Sequence, residues 1–355
     1  MDKSKTNTNI RPDSGDAASP LLQVRNLSRV FDISGGLLDQ LKWQDGALRR
    51  KKTLVKALNN VSFDIYKGDT LSVVGESGCG KSTLGRTVIG LHKPNQGQVI
   101  YQDERIDNLS PRQMLPYRRR MQMVFQDPYA SLNPRKRIDR ILEEPLRFHN
   151  PGWSASEYRD KVEEVLKQVG GDPQWLTRLP HEFSGGQRQR ISIARSLVVE
   201  PDFIVADEPI SALDVSIQAQ ILNLMMKTQE ERGLTYLFIA HDLSVVEHIS
   251  TRVAVMYLGT LCEMADTETL FSDPRHPYTR ALLSAIPRIS GPEKMGHVKL
   301  KGEVPTPINL PEGCVFHGRC RYTKEICTAV SPRFYPESSD RLIACHGVEQ
   351  GWIDY

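Results

Sequence analysis

Gly75-Glu76-Ser77-Gly78-Cys79-Gly80-Lys81-Ser82 satisfies every fixed position of G-x-x-x-x-G-K-[ST], a spacing suited to holding phosphate. The glycines let backbone N–H groups curl around phosphate oxygens, and a helix starting there directs its positive end at them. Lys81 can neutralise the outer phosphates, Ser82 can ligate Mg²⁺, and Thr83 continues the same nucleotide-binding run. The plain alternative, a glycine-rich turn, is disfavoured by an eight-residue match lying directly after a strand and before a helix. A second patch is Phe203-Ile204-Val205-Ala206-Asp207-Glu208, an apolar run ending in two carboxylates. Asp207 can hold Mg²⁺ through water, and Glu208 can act as general base on an attacking water. An apolar strand ending in Asp-Glu is common by itself; its weight here comes from following a phosphate loop.

These residues need elements to position them. Leu71–Val74, Met121–Phe125, Phe203–Ala206 and Tyr236–Ala240 are short, wholly apolar runs alternating with helical segments. Such runs fit strands buried on both faces and predict a mainly parallel sheet covered by helices. Leu22–Val24 and Val61–Ile65 alternate apolar with polar residues and predict an antiparallel β subdomain before that core. No comparable strand occurs from Ile138 to Val199, where Val162, Val165, Leu166 and Val169 recur at helical spacing, so an α-helical subdomain is expected there, inserted over about 127–200. Residues 1–19 read as a disordered leader, 20–265 as the nucleotide-binding domain and 266–355 as a C-terminal extension. Between Ser34 and Lys52 an exposed insertion is expected, a solvated loop in which Leu37, Leu38, Leu41 and Trp43 could form one short apolar face.

The composition bounds the rest. Hydrophobic residues make up 39% and charged residues 25% of 355, with a net charge of +3, which is ordinary for a globular chain and gives no sign of a nucleic-acid partner. No run approaches the about 20 apolar residues needed to span a bilayer. The polar start, Asp2-Lys3-Ser4, lacks the apolar core of a secretory signal, so the expected compartment is the cytoplasm. No internal repeat is visible, which predicts one nucleotide domain.

At this point the chain resembles the ABC-type ATPases, a family of P-loop NTPases. Phe183-Ser184-Gly185-Gly186-Gln187-Arg188-Gln189-Arg190 looks like the family signature, with Phe in place of the usual Leu. The resemblance implies that Ser184, Gly185, Gly186 and Gln187, with Asp214 of the Ser211–Asp214 D-loop, face ATP held by an opposite subunit. It also implies that Gln126 senses Mg²⁺ and the attacking water, and that His241 is the switch histidine. Together with Ser82 and Asp207, Gln126 is implied as a Mg²⁺ contact. Phe31 is a candidate to stack on adenine, with a core phenylalanine as the competing reading.

Asn133-Pro134-Arg135, Ile141–Leu146, Ala219–Met226 and Pro274–Leu283 narrow the resemblance to ATPase subunits of bacterial dipeptide and oligopeptide importers, nearest to the second ATPase subunit of dipeptide importers. Nickel, glutathione and cationic-peptide importers share much of the pattern. The resemblance implies a peripheral protein on the cytoplasmic face of the inner membrane. Its implied partners are a paralogous ATPase subunit forming a heterodimer, two transmembrane permeases and an external solute-binding protein. The rival class, a soluble ABC ATPase acting on DNA or ribosomes, would usually carry two nucleotide domains or a long coiled coil, neither of which is visible.

Of six cysteines, Cys314, Cys320, Cys327 and Cys345 crowd a tail that begins at about residue 291. In a reducing compartment four such thiols suit tetrahedral zinc or an iron–sulfur cluster. The C-x₅-C-x₆-C-x₁₇-C layout resembles the tail of peptide-importer ATPases, which implies a [4Fe–4S] cluster, acting as a staple, over zinc. His317 and His346 stand close enough in sequence to substitute as ligands.

Overall fold

The computed structural model describes residues 19–35, 41–44, 47–50, 52–286, 300, 302–303 and 305–353. Apart from Ser19, the expected leader lies outside them, as do Leu37 and Leu38. The chain begins with β1 (Leu22–Asp32), β2 (Leu41–Gln44), β3 (Ala47–Arg50), β4 (Leu54–Ile65), β5 (Thr70–Val74), α1 (Lys81–Val88), β6 (Gln96–Tyr101) and β7 (Glu104–Arg105). It continues through α2 (Leu115–Arg120), β8 (Met121–Val124), α3 (Pro128–Ser131), α4 (Ile138–His149), α5 (Ala155–Gln168), α6 (Gly185–Leu197), β9 (Phe203–Asp207) and α7 (Val215–Arg232). Then follow β10 (Thr235–Ile239), α8 (Leu243–Ile249), β11 (Arg252–Tyr257), β12 (Thr260–Asp266), α9 (Thr267–Ser272) and α10 (Pro277–Ser284). The tail adds α11 (Glu325–Ala329), β13 (Tyr335–Ser338), β14 (Arg341–Ile343) and α12 (His346–Glu349). By contacts the chain divides into two compact units, one of residues 1–64, 73–108 and 252–355, the other of 65–72 and 109–251. Among the described residues no helix is long and apolar enough to cross a membrane.

In the first unit, strands run in the order β4-β1-β6-β7. β1 and β6 pair antiparallel, Leu22 opposite Tyr101 and Val24 opposite Val99. The alternation that signals these strands also fixes the register, because Leu22 and Val24 are fully buried and a one-residue slip would turn them to solvent. Asp64, at the end of β4, is almost completely buried and is compensated by Arg25, while the Arg252 guanidinium donates to the Asp64 carbonyl at 2.8 Å.

The second unit carries the parallel strands. Met121 of β8 and Thr235 of β10 both pair with Phe203 of β9, and the registers run on in parallel from there. All five residues of β9 and of β10 are buried, as their unbroken apolar sequences require. From β8 to β9 the chain builds only helices and 3₁₀ turns. α5 is started by a reciprocal cap between Ser154 and Glu157 and buries Tyr158, Val162, Val165 and Leu166, the residues of helical spacing joined by a tyrosine.

Two expectations change. Within the first unit β11, β12, β14 and β13 pair antiparallel, where the sequence predicts a mainly parallel sheet. The reason is the connection after β11, where Leu258 and Gly259 both take positive φ in a tight turn that only an antiparallel neighbour can follow. The segment 34–52 is not simply a loop either, since β2 and β3 form a hairpin with Leu41 opposite Arg50.

Candidate functional site

In the first unit the phosphate loop leaves β5 and enters α1. Gly75 has φ +151° and Gly80 φ +108°, and a Cβ at either would overlap a carbonyl oxygen, of Met256 and Ala57 respectively. These positions require glycine for space as well as for conformation. Lys81, 5% exposed, donates from Nζ to the Gly75 carbonyl (2.7 Å) and the Glu76 carbonyl (3.2 Å), so its ammonium is held over the loop. Ser77 and Gly78 form the turn of the loop, and Ser82 and Thr83 lie in the first turn of α1. Cys79 is buried, and burial pushes its thiol pKa up, so it packs in the loop as a neutral group.

Sequence reasoning missed two residues that fasten this loop. The Glu76 N–H donates to the Tyr278 hydroxyl (3.0 Å), and Arg319 donates to both Glu76 carboxylate oxygens (2.6 and 3.1 Å). Arg319 stands beside Cys320 in the tail. Its only signal in the sequence is an arginine next to a cysteine, which says nothing about a partner 243 residues away.

In the second unit the three expected catalytic residues come together, Gln126 and His241 on the carboxylate of Glu208. Glu208 follows β9 with φ +47°, and its N–H donates to the Ile239 carbonyl at 3.0 Å. Its Oε2 accepts from Gln126 Nε2 at 2.8 Å and lies 3.4 Å from His241 Nδ1. Gln126 is delivered by the end of β8 and steadied by Asp127, which caps α3 by accepting from the Tyr129 N–H. His241 comes from the end of β10, and its side chain is 58% exposed. Asp207, the last residue of β9, is buried. A carboxylate approached by an amide donor and an imidazole is suited to accept a proton from a water that the same groups orient.

Also in this unit, Ser184 caps α6. Its N–H donates to Gln187 Oε1 (2.9 Å), and its hydroxyl accepts from the Gln187 N–H (3.4 Å). Ser184 is exposed while Gly186 is buried, and a Cβ on Gly186 would lie 2.5 Å from Ile217 of α7. Gly185 lies over Leu213, and Asp214 precedes α7 on the surface. The signature and the D-loop are thus one packed feature with a solvent-facing serine. Phe183, where Leu is usual, is buried against Trp175, with Arg178 stacked on its ring.

Phe31, the next-to-last residue of β1, is half-buried. Arg29 lies 4.5 Å over its ring and His92 packs edge-on at 5.4 Å.

The four tail cysteines, with His317 and His346, line one cavity of about 20 Å³. Desolvation is the main cause that raises the thiol of Cys314 to about 12 and that of Cys345 to about 11, with the other thiols adding to it, so these groups are protonated at neutral pH when nothing is bound. His317 Nδ1 lies 2.8 Å from the Cys314 carbonyl, and His346 Nε2 lies 2.9 Å from the Val330 carbonyl, which ties each ring to backbone. The donor set fits a thiophilic metal. The geometry does not reach ligation, since no group of three or more His, Cys, Asp or Glu among the described residues is placed to hold a metal ion.

Comparison with known proteins fits this geometry. A family model described as ABC transporter matches residues 58–211, and one described as oligopeptide/dipeptide transporter, C-terminal region, matches 262–327. The oligopeptide transport ATP-binding protein AppF of Bacillus subtilis is 51% identical over 92% of this chain and 97% of its own length. The dipeptide transport ATP-binding proteins DppF of Haemophilus influenzae and Escherichia coli are 49% and 47% identical, each over 93% of this chain. They are covered over 98% and 95% of their own lengths. An ATP-binding cassette solved as a dimer in a post-hydrolysis state with ADP and Pi superposes with a TM-score of 0.60 at 28% identity, over 69% of this chain and 98% of its own. The cbiO1 protein of Clostridium perfringens, part of an ABC transporter complex, gives 0.59 at 26%, over 72% of this chain and 91% of its own. Fold and site therefore define an ABC transporter ATP-binding protein, an ATPase. Within that class the chain belongs to the family of oligopeptide and dipeptide transport ATP-binding proteins.

Gly186→Ala should force α6 and α7 apart and cost about 1–3 kcal/mol of stability by overpacking, read as a lower denaturant midpoint. An unchanged midpoint would show that the signature does not depend on this contact.

Proposed function

We propose that this chain hydrolyses ATP to power import of dipeptides or oligopeptides through separate membrane subunits. The convergence of Gln126 and His241 on Glu208 carries this reading, because it gives one carboxylate the surroundings of a general base. In this reading Gly75–Thr83 bind the phosphates of ATP and Phe31 contributes to the base site, sharing its ring with Arg29. Ser82, Gln126 and Asp207 would hold Mg²⁺, which supplies charge neutralisation for the phosphates. Glu208 takes a proton from the attacking water, while the Gln126 amide and His241 fix its carboxylate. Residues 20–265 act as the nucleotide domain, with 127–200 as its helical subdomain and 266–355 as an extension.

Ser184, Gly185, Gly186, Gln187 and Asp214 would complete a site on an opposite subunit. The exposure of Ser184 and Asp214 and the 81% exposure of Val215 support a partner there. That partner is read as a paralogous ATPase, and the pair docks on two permeases at the cytoplasmic face of the inner membrane, fed by an external solute-binding protein. A role on DNA or ribosomes is disfavoured by the relatives' names and lengths.

The four tail cysteines are read as ligands of a structural [4Fe–4S] cluster, with zinc as the competing occupant. Their shared cavity supports a common ligand, and ligation would draw the side chains closer than they now stand. Protein purified anaerobically should be brown and contain iron; colourless protein with stoichiometric zinc contradicts the cluster.

Glu208→Gln should keep ATP binding, trap an ATP-bound dimer and lower hydrolysis by at least about a hundredfold, the usual scale for losing a general base. Phosphate release from the reconstituted complex tests this, and normal turnover would overturn the assignment.

A further inference from the structure

The contact between the phosphate loop and the tail has a chemical consequence. Glu76 places a carboxylate within a loop that must receive a polyanion, which taken alone should weaken ATP binding. Arg319 offsets that charge with a two-pronged interaction, its two guanidinium nitrogens 2.6 and 3.1 Å from the two oxygens. The arginine is 9% exposed and Glu76 26%, so water screens the pair only in part. Arg319 also lies 3.5 Å from the Tyr257 hydroxyl.

The backbone of Glu76 is fixed as well. Its N–H is satisfied by the Tyr278 hydroxyl, and its carbonyl is one of the two that hold the Lys81 ammonium. A movement of Glu76 therefore moves the lysine. The tail supplies the opposing anchor. Phe316 packs on Tyr257 and Tyr278 with ring centroids 5.3 Å apart in each case, and the two tyrosines are 4.8 Å apart. Arg319 sits in a 3₁₀ turn between Cys314 and Cys320. Its N–H donates to the Phe316 carbonyl, and the Cys314 N–H donates to the Cys327 carbonyl at 2.8 Å.

We propose that Arg319 is a positioning residue for ATP binding, cancelling the Glu76 charge and holding the phosphate loop so that Lys81 is set for the phosphates. The inference rests on the reading of Gly75–Ser82 as the ATP phosphate loop. It gives the cysteine-rich tail a direct part in nucleotide affinity, carried by one side chain.

The test is ATP titration of the full-length chain by fluorescence of a nucleotide analogue, with thermal melting as a check on folding. Lys81→Ala tests the underlying reading, because its failure to weaken binding would show that the loop is not the ATP site. If Lys81→Ala does weaken binding, the remaining variants test Arg319. Arg319→Ala is expected to weaken binding roughly tenfold, in the range of couplings between contacting groups. Adding Glu76→Gln to it should restore most of that loss, because the uncancelled carboxylate is gone. Arg319→Lys, keeping charge but losing the fork, should fall between wild type and Arg319→Ala, and it serves if the alanine variant does not fold. Wild-type affinity in Arg319→Ala, a double variant no tighter than the single, or Arg319→Lys as weak as alanine would overturn the proposal.

Discussion

The meeting of Gln126, Glu208 and His241 depends on one backbone constraint, the left-handed conformation of Glu208 just after β9. A side chain other than glycine in that region costs about 1–3 kcal/mol, and the cost is sustained only where surrounding structure fixes it. Here the Glu208 N–H donates to the Ile239 carbonyl, and its own carbonyl accepts from both the backbone and the hydroxyl of Ser211. The parallel pairing of β9 with β10 supplies the frame, since Asp207 is opposite Ile239. This kink turns the carboxylate out of the strand to meet Gln126 and His241, which leave the ends of β8 and β10. Three adjacent strand ends thus deliver three side chains to one point.

Much of this was legible from sequence because the signals are local. A glycine pattern between strand and helix and an apolar strand ending in two carboxylates each state their own geometry, whereas Ser184, Gln126 and His241 were reached through family resemblance. What the sequence could not give depends on distant pairing. The Phe31 ring is half-covered by Arg29 and His92, a contact set by how β1 and β6 bring distant segments together. The hairpin of β2 and β3, by contrast, was legible: Asp45-Gly46 lies between its two four-residue strands, a two-residue hairpin signal that the loop reading passed over because the basic second strand looks solvated. The antiparallel return of β12 was hidden because an apolar run such as β11 reads the same whichever way its neighbour points.

The tail shows the same limit more sharply. Its cysteine spacing signals a common ligand, and the four thiols do share a cavity, yet their present arrangement stops short of ligation. The spacing gives no hint that the turn between the first two cysteines reaches back to the phosphate loop. Aromatic packing and one ion pair make that link, in which the tail fastens the loop between β5 and α1.

Under the proposed function, this ATPase works only when an opposite subunit completes its site. The most direct test is the rate of ATP hydrolysis per molecule, measured as the isolated chain is concentrated and then as its companion ATP-binding subunit is added. A very low rate at dilution that rises with concentration and increases steeply with the companion is expected. A rate per molecule that is high at dilution and indifferent to both would contradict it.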